Sequence, residues 1–199
     1  MATARLTVKS AHQGDPDAAR QQSHSAATPA VHVVSVIGSM QPQSTSRALA
    51  CAIVDALTAG RWVHAHTHDI IDLSQPCATS AGQPAFFELH RRARTADLLV
   101  VATPTYHGTY SGLLKAFLDP LHPGALVQTT AVIAVIDPAG RGHSATATLL
   151  VKILTSVGAR LPTRPLVVNG PGGPRARASR WAATHGTAIC AALSGGTTP

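Results

Sequence analysis

Residues 31–47, VHVVSVIGSMQPQSTSR, restrict this chain more than any other stretch. Val31, Val33, Val34, Val36 and Ile37 make a short β-branched run with little alternation, the pattern of a parallel strand covered on both faces. Gly38 lets the chain turn where that strand ends. Ser39, Ser44, Thr45 and Ser46 then supply four hydroxyls within eight residues, and Arg47 stands where a helical apolar pattern begins. A helix start presents unpaired N–H groups and the positive end of a dipole, so hydroxyls and an arginine there suit a phosphate monoester. The same residues also make an ordinary N-cap with spare serines, and the loop alone does not decide between the two. The segment is neither G-x-x-x-x-G-K-[ST] nor G-x-G-x-x-G, so the two common glycine-rich phosphate motifs are absent from it.

A second segment, residues 97–119 (DLLVVATPTYHGTYSGLLKAFLD), repeats the strand–loop–helix plan. Its apolar run ends in Pro104, Thr105, Tyr106, His107 and Gly108, and Leu113, Leu114, Phe117 and Leu118 follow at helical spacing. Both loops fall at the carboxyl ends of their strands, the edge where open α/β sheets bind ligands. One loop suits a phosphate; the other offers Pro, Tyr, His and Gly, which suit a flat aromatic ring. Together they describe a mononucleotide with a ring system, and FMN fits best.

These residues carry a resemblance. Gly38-Ser39, Ser44-Thr45-Ser46-Arg47 and the ungapped run from Thr103 to Asp119 are similar to the NADPH-dependent FMN reductases of the flavodoxin-like superfamily, over roughly residues 30–168. The wording Tyr110-Ser111-Gly112-Leu113-Leu114-Lys115 looks most like the flavin reductases of two-component alkanesulfonate monooxygenase systems; quinone and azo-dye reductases often carry Pro where Ser111 stands. The resemblance implies FMN as flavin, NADPH or NADH as hydride donor, and a separate flavin-dependent monooxygenase as recipient of reduced flavin. The alternatives are an FMN-bound reductase of quinones, azo dyes or metal ions, and a non-enzymatic flavodoxin-like carrier. Flavodoxins are usually acidic, and a net charge of +7 counts against the carrier.

On this reading Ser39, Ser44, Ser46 and Arg47, with Thr45 beside them, hold the phosphate, and Pro104, Thr105, Tyr106, His107 and Gly108 line the ring. His107 can donate a proton or hydrogen bond to flavin or substrate, or simply wall the pocket; hydride transfer itself requires no protein acid or base. Tyr110 and Lys115 are expected on the following helix, with Tyr110 implied in flavin exchange. A third loop, carrying Asp137, Gly140 and Gly142, either edges the ring or is an ordinary strand-to-helix connection. The family's oligomers bury the helix after the ring loop, and Leu113, Leu114, Phe117 and Leu118 exceed what that helix needs for its own core; a homodimer or homotetramer is expected.

The periodicities place strands at about 31–37, 62–68, 97–103, 129–136 and 165–169, and helices at about 45–58, 84–95, 110–121, 144–158 and 176–193. That is an α/β, flavodoxin-like three-layer sandwich with a five-stranded parallel sheet in the order 2-1-3-4-5. Residues 1–29 lack apolar periodicity and read as a disordered tail or an extra arm against a partner subunit; residues 30–193 are expected to form the FMN-binding domain and residues 194–199 a short tail. The first 29 residues have no signal-peptide core, no run spans a membrane, and an odd count of three cysteines fits a reducing compartment, so a cytoplasmic location is expected.

Five of the thirteen arginines (Arg160, Arg164, Arg175, Arg177, Arg180) lie in the last quarter. There is no basic run with interleaved aromatics, which argues against nucleic acid and for attraction of flavin or NADPH phosphates. His64, His66 and His68 alternate and are expected on one face of an edge strand, where solvation is a better account than metal. Cys51 and Cys190 read as small core residues on helices, and Cys77, in a loop, as the one reactive thiol.

Overall fold

The structure, a computed structural model, describes residues 30–75, 84–138, 144–170 and 172–195. Ten elements alternate along the chain: β1 (Ala30–Ile37), α1 (Thr45–Ala59), β2 (His64–Asp72), α2 (Pro84–Arg94), β3 (Leu98–Pro104), α3 (Gly112–Leu118), β4 (Thr130–Ile136), α4 (Ala145–Ser156), β5 (Leu166–Val168) and α5 (Pro174–Ser194). The strands pair in parallel in the order β2-β1-β3-β4-β5, as the sequence pattern predicts.

Two apolar layers explain why β1, β3 and β4 read as continuous hydrophobic runs. Val33, Ile37, Leu98, Val100, Ala102, Val132 and Ala134 pack with Leu49, Ile53, Leu57, Trp181 and Ile189 of α1 and α5. The alternate residues, Val34, Val36, Leu99, Val101, Ile133 and Val135, pack with Leu114, Phe117, Leu150 and Leu154 on the α2–α3–α4 side. Every second side chain of a central strand thus meets a helix, and both faces are dry. Three serines start helices at the carboxyl edge of the sheet: Ser44 Oγ accepts from Arg47 N at 3.3 Å, Ser111 Oγ from Leu114 N at 3.2 Å, and Ser144 Oγ from Ala147 N at 3.4 Å. A cap of this kind contributes roughly 0.5–2 kcal/mol.

The structure corrects several expectations. β2 extends to Asp72 rather than ending at 68, because Ile71 is buried and Ile70 half-buried while Asp69 and Asp72 are neutralised by arginines. α3 is shorter than 110–121: Ser111 caps it, so Tyr110 lies before the helix, and Pro120 follows its end. Leu114, Phe117 and Leu118 are buried in the chain's own core and Leu113 is half-buried, so α3 has no large apolar surplus. α5 runs on to Ser194.

The three histidines of β2 do not share a face. The pairing of β1 with β2 skips from Ala65 to Thr67, and this bulge at His66 reverses the alternation. Ala65 before it and Ile70 after it accordingly pack into the same apolar layer. His68 turns toward α1 and sets its Nε2 2.9 Å from the Oγ of Ser35, a residue wholly enclosed in β1. On the other face His32 and Arg92 both reach Asp69, at 3.4 and 3.0 Å.

Burial pushes the half-buried His68 below the usual histidine range, against smaller opposing effects of Asp55 and Asp69. The unfolded chain therefore binds a proton at this position at a higher pH than the folded chain does, and stability falls as the pH drops. The loss begins near the ordinary histidine pKa of about 6.5 and levels off below the lowered folded value. Thermal unfolding followed from pH 8 to pH 5 is expected to show a shallower decline for His68→Gln than for the parent chain; parallel curves would refute the assignment.

Candidate functional site

The two loops singled out by sequence meet at the carboxyl edge of β1 and β3. Gly38 N donates to Ala102 O at 2.7 Å, and Thr103 Oγ1 donates to Gly38 O at 3.2 Å. A Cβ at Gly38 would stand 2.8 Å from Leu114 Cβ, so only glycine lets the first loop lie this close to α3. Ser39 and Ser46 are buried, and Ser39 Oγ accepts from Gln41 N at 3.2 Å, holding the turn in shape. Thr45 is exposed at the start of α1.

On the β2 side of this loop lies a cleft of about 580 Å³ lined by Pro42, Gln43, Ser44, Arg47, Cys51 and Asp72 among others. Ser44 and Arg47 are thus brought together, whereas Ser39, Thr45 and Ser46 do not line it. The Arg47 guanidinium donates to Asp72 at 3.3 Å. Asp72 is also held by Ser74, whose N and Oγ donate to the other carboxylate oxygen at 3.0 and 2.7 Å. The ion pair leaves the arginine about a third exposed over the cleft, with further N–H donors for a phosphate. Asp72 escapes sequence reasoning because the expected strand stops four residues short of it; the pair Ile70-Ile71 is the signal that the strand continues. Cys51 is half-buried and lines this cleft rather than sitting in the core; burial pushes its thiol up, which keeps it protonated and a weak nucleophile.

On the β3 side, Met40, Tyr106, His107, Thr109, Tyr110, Ser111 and Gly112 line a cleft of about 330 Å³. The ring loop is built around a two-residue turn: Tyr106 N donates to Thr109 O at 2.8 Å and Thr109 N to Tyr106 O at 3.0 Å. Its central residues, His107 and Gly108, have φ of 49° and 79°, the twin left-handed pair of a tight reversal. The turn sets His107 on an exposed tip. Behind it Thr105 N donates to Ile136 O at 2.8 Å, and Thr105 Oγ1 lies 3.1 Å from Thr146 Oγ1, which ties the loop to β4 and α4. Pro104 closes β3, half-buried. Met40, exposed in the first loop yet lining the second cleft, connects the two; a lone methionine between Ser39 and Gln41 gives no sequence signal of this. Asp137 is buried at the end of β4, while Gly140, Gly142 and Cys77 lie outside the described residues.

Two clefts, one lined by Ser44 and Arg47 and one by Tyr106 and Tyr110, thus share one loop at the carboxyl edge of a doubly wound, flavodoxin-like sheet, the edge where such sheets bind ligands. Residues 31–171 match the NADPH-dependent FMN reductase family, and the chain belongs to it. The NADH-dependent FMN reductase SfnF of Pseudomonas fluorescens (strain Pf0-1) is 31% identical over 106 residues, 51% of this chain and 57% of SfnF. The FMN-dependent NADPH-azoreductase of Staphylococcus aureus is 35% identical over 102 residues, 44% of this chain and 50% of the azoreductase. The chain thus spans about half the length of the curated relatives it matches. The apo crystal structure of the NADH:FMN oxidoreductase EmoB superposes with a TM-score of 0.64 at 24% identity, covering 83% of this chain and 89% of EmoB, which supports the fold.

Because the whole edge is organised around the approach of Gly38 to Leu114, Gly38→Ala is expected to cost about 1–3 kcal/mol, the usual range for overpacking a filled interior. Chemical denaturation measures it; a variant within 0.3 kcal/mol of the parent, on the order of scatter for neutral substitutions, would show that α3 gives way freely.

Proposed function

We propose that this chain is an NAD(P)H-dependent flavin reductase that passes a hydride from NADPH or NADH to FMN and supplies reduced flavin to a separate flavin-dependent monooxygenase. The observation that carries this reading is the pairing of the Ser44–Arg47 cleft with the Met40–Tyr106–Tyr110 cleft across one loop. The donor set fits FMN: a guanidinium and a hydroxyl for the phosphate, and two phenol rings with a thioether for the ring system. Bound flavin supplies the hydride-accepting chemistry, and the protein supplies position and electrostatics. Arg47 and Ser44 orient the phosphate; Tyr106, His107 and Tyr110 flank the ring, with His107 able to donate a hydrogen bond from its exposed tip. Ser39, Thr45 and Ser46 shape the loop, and Asp137 borders the site from β4. Membership of the family and the likeness to SfnF support delivery of reduced flavin.

A second reading is favoured by the likeness to the azoreductase: FMN stays bound and electrons pass to a quinone or azo dye. Purified protein separates the two. Delivery predicts nearly colourless protein that oxidises NADPH or NADH with free FMN, whereas retention predicts yellow protein active without added flavin. Among the described residues no helix is long and apolar enough to cross a membrane, and the unpaired thiols Cys51 and Cys190 support a cytoplasmic setting.

Arg47→Ala and Ser44→Ala are each expected to weaken FMN roughly ten- to a hundredfold, the loss of about 1.5–3 kcal/mol from one charge-assisted contact. Riboflavin, which lacks the phosphate, should bind both variants as it binds the parent. Equal losses for the two flavins in a fluorescence titration would remove the phosphate assignment. We also propose a homodimer or homotetramer formed through the α2–α3–α4 layer, where Phe87 and Leu149 are 64% and 39% exposed. Sedimentation as a monomer at micromolar concentration would overturn this.

A further inference from the structure

We infer that Met40 is a site of reversible oxidation that governs flavin affinity: hydrogen peroxide converts its thioether to the sulfoxide, and the sulfoxide loosens FMN in the ring cleft. The source of the peroxide rests on the reductase reading above, and the effect on flavin rests on the geometry of the two clefts. The chain has two methionines, Met1 and Met40. Methionine ordinarily fills irregular gaps in a core. Here, among the described residues, neither apolar layer contains one. Met40 stands 61% exposed at the junction of the two clefts, and it lines one opening together with the half-buried Tyr106 and Tyr110.

The turn beneath this side chain is fixed. Gly38 N donates to Ala102 O at 2.7 Å on one side of it. Gln41 N donates across Met40 to the Oγ of the buried Ser39 at 3.2 Å. A thioether on such a turn is reachable by a small oxidant and is held beside the place that a flavin ring would occupy. The described thiols are less available. Cys51 and Cys190 are both half-buried on helices, and burial keeps Cys51 in its protonated, weakly reactive form.

The oxidant follows from the proposed reaction. When no recipient takes up reduced flavin, two electrons and two protons pass from it to dioxygen and give hydrogen peroxide beside the cleft. A sulfur lone pair of Met40 then attacks one peroxide oxygen. The O–O bond breaks, an S–O bond forms, and the second oxygen leaves as water after taking up the proton. Sulfur is oxidised by two electrons and the peroxide is reduced by two. An apolar, polarisable group becomes a polar one. Covering the sulfoxide oxygen with a flavin ring would cost its hydration. Flavin occupancy falls, and the formation of further peroxide falls with it.

The test uses the full chain with hydrogen peroxide as the probe. Peptide mass spectrometry reads the oxygen added at Met40 and at Met1, and fluorescence titration measures FMN affinity on the same samples. Dithiothreitol then reverses sulfenic acids and disulfides, and methionine sulfoxide reductase afterwards reverses the sulfoxide. Oxidation of Met40 should weaken FMN roughly tenfold, the upper end of what a thioether–aromatic contact supplies. Dithiothreitol should leave that loss in place, and the sulfoxide reductase should restore the parent affinity. In Met40→Leu, whatever its starting affinity, peroxide followed by dithiothreitol should change nothing. During aerobic turnover with NADPH and FMN and no other acceptor, Met40 should gain oxygen ahead of Met1. Unchanged affinity with Met40 fully oxidised, recovery in dithiothreitol alone, an equal loss in Met40→Leu, or equal oxidation of Met40 and Met1 during turnover would each overturn the inference. If the sulfoxide weakens FMN but the chain oxidises neither NADPH nor NADH, the modification site stands and the reductase reading is what fails.

Discussion

The contact between Gly38 and α3 governs the rest of the molecule's functional edge. It is a contact of backbone against side chain, with Leu114 lying where any other residue's Cβ would be. The hydroxyl of Thr103, enclosed between the strand ends, completes it by donating to the Gly38 carbonyl. These two interactions fix the exit of β1 against the exit of β3, and both clefts open from that junction. Neither loop could hold its position alone. The first is a run of serines and glutamines with few apolar anchors, and the second turns on two residues in the left-handed region. Their mutual geometry is inherited from the sheet below, whose central strands are dry on both faces and so have no freedom of register.

Charge is distributed with a direction across that sheet. Toward β2, acids and bases alternate and neutralise one another: Asp69 with Arg92 and His32, Asp72 with Arg47. Beyond Asp137, at the end of β4, the sequence carries no further Asp or Glu. The exposed pairs of α2 and α3, Glu88 with Arg91 and Lys115 with Asp119, are surface contacts of small energetic consequence. The Arg47–Asp72 pair keeps the cleft beside Ser44 close to neutral.

The order and type of the elements were legible from sequence because buried parallel strands leave a strong signal: four to six consecutive β-branched or aliphatic residues followed by glycine, serine or proline. The residues that were not legible share a different character. Asp72 sits at the end of an edge strand whose alternation a bulge had already reversed, so its face could not be inferred by counting. Met40 acts through its place in three dimensions rather than through any pattern. Ser39 and Ser46 read as phosphate ligands because hydroxyls near a helix start can be either ligands or struts; both are buried and neither lines the Ser44–Arg47 cleft, which sequence does not reveal. The apolar residues of α3 misled in the opposite way. In the seven-residue helix α3, Leu114, Phe117 and Leu118 are buried in the chain's own core and Leu113 is half-buried, so the apparent surplus is consumed internally.

The Arg47–Asp72 pair joins these themes. An arginine left unpaired beside a cleft would sample many rotamers, and ordering it on ligand binding would cost conformational entropy. Asp72, only 10% exposed and pinned by both the N–H and the hydroxyl of Ser74, is a fixed partner rather than a mobile one. It takes a single N–H of the guanidinium at 3.3 Å, a long contact that orients the group without saturating it. The remaining donors stay directed over the cleft beside Ser44, whose own hydroxyl is turned to cap α1 and sets the helix start against the same opening. The carboxylate lowers the cleft's net attraction for a phosphate, and in exchange the cation is in place before the phosphate arrives. The proposed delivery of reduced flavin is served by that balance: orientation is fixed by the fold, and affinity is held down by the neighbouring negative charge.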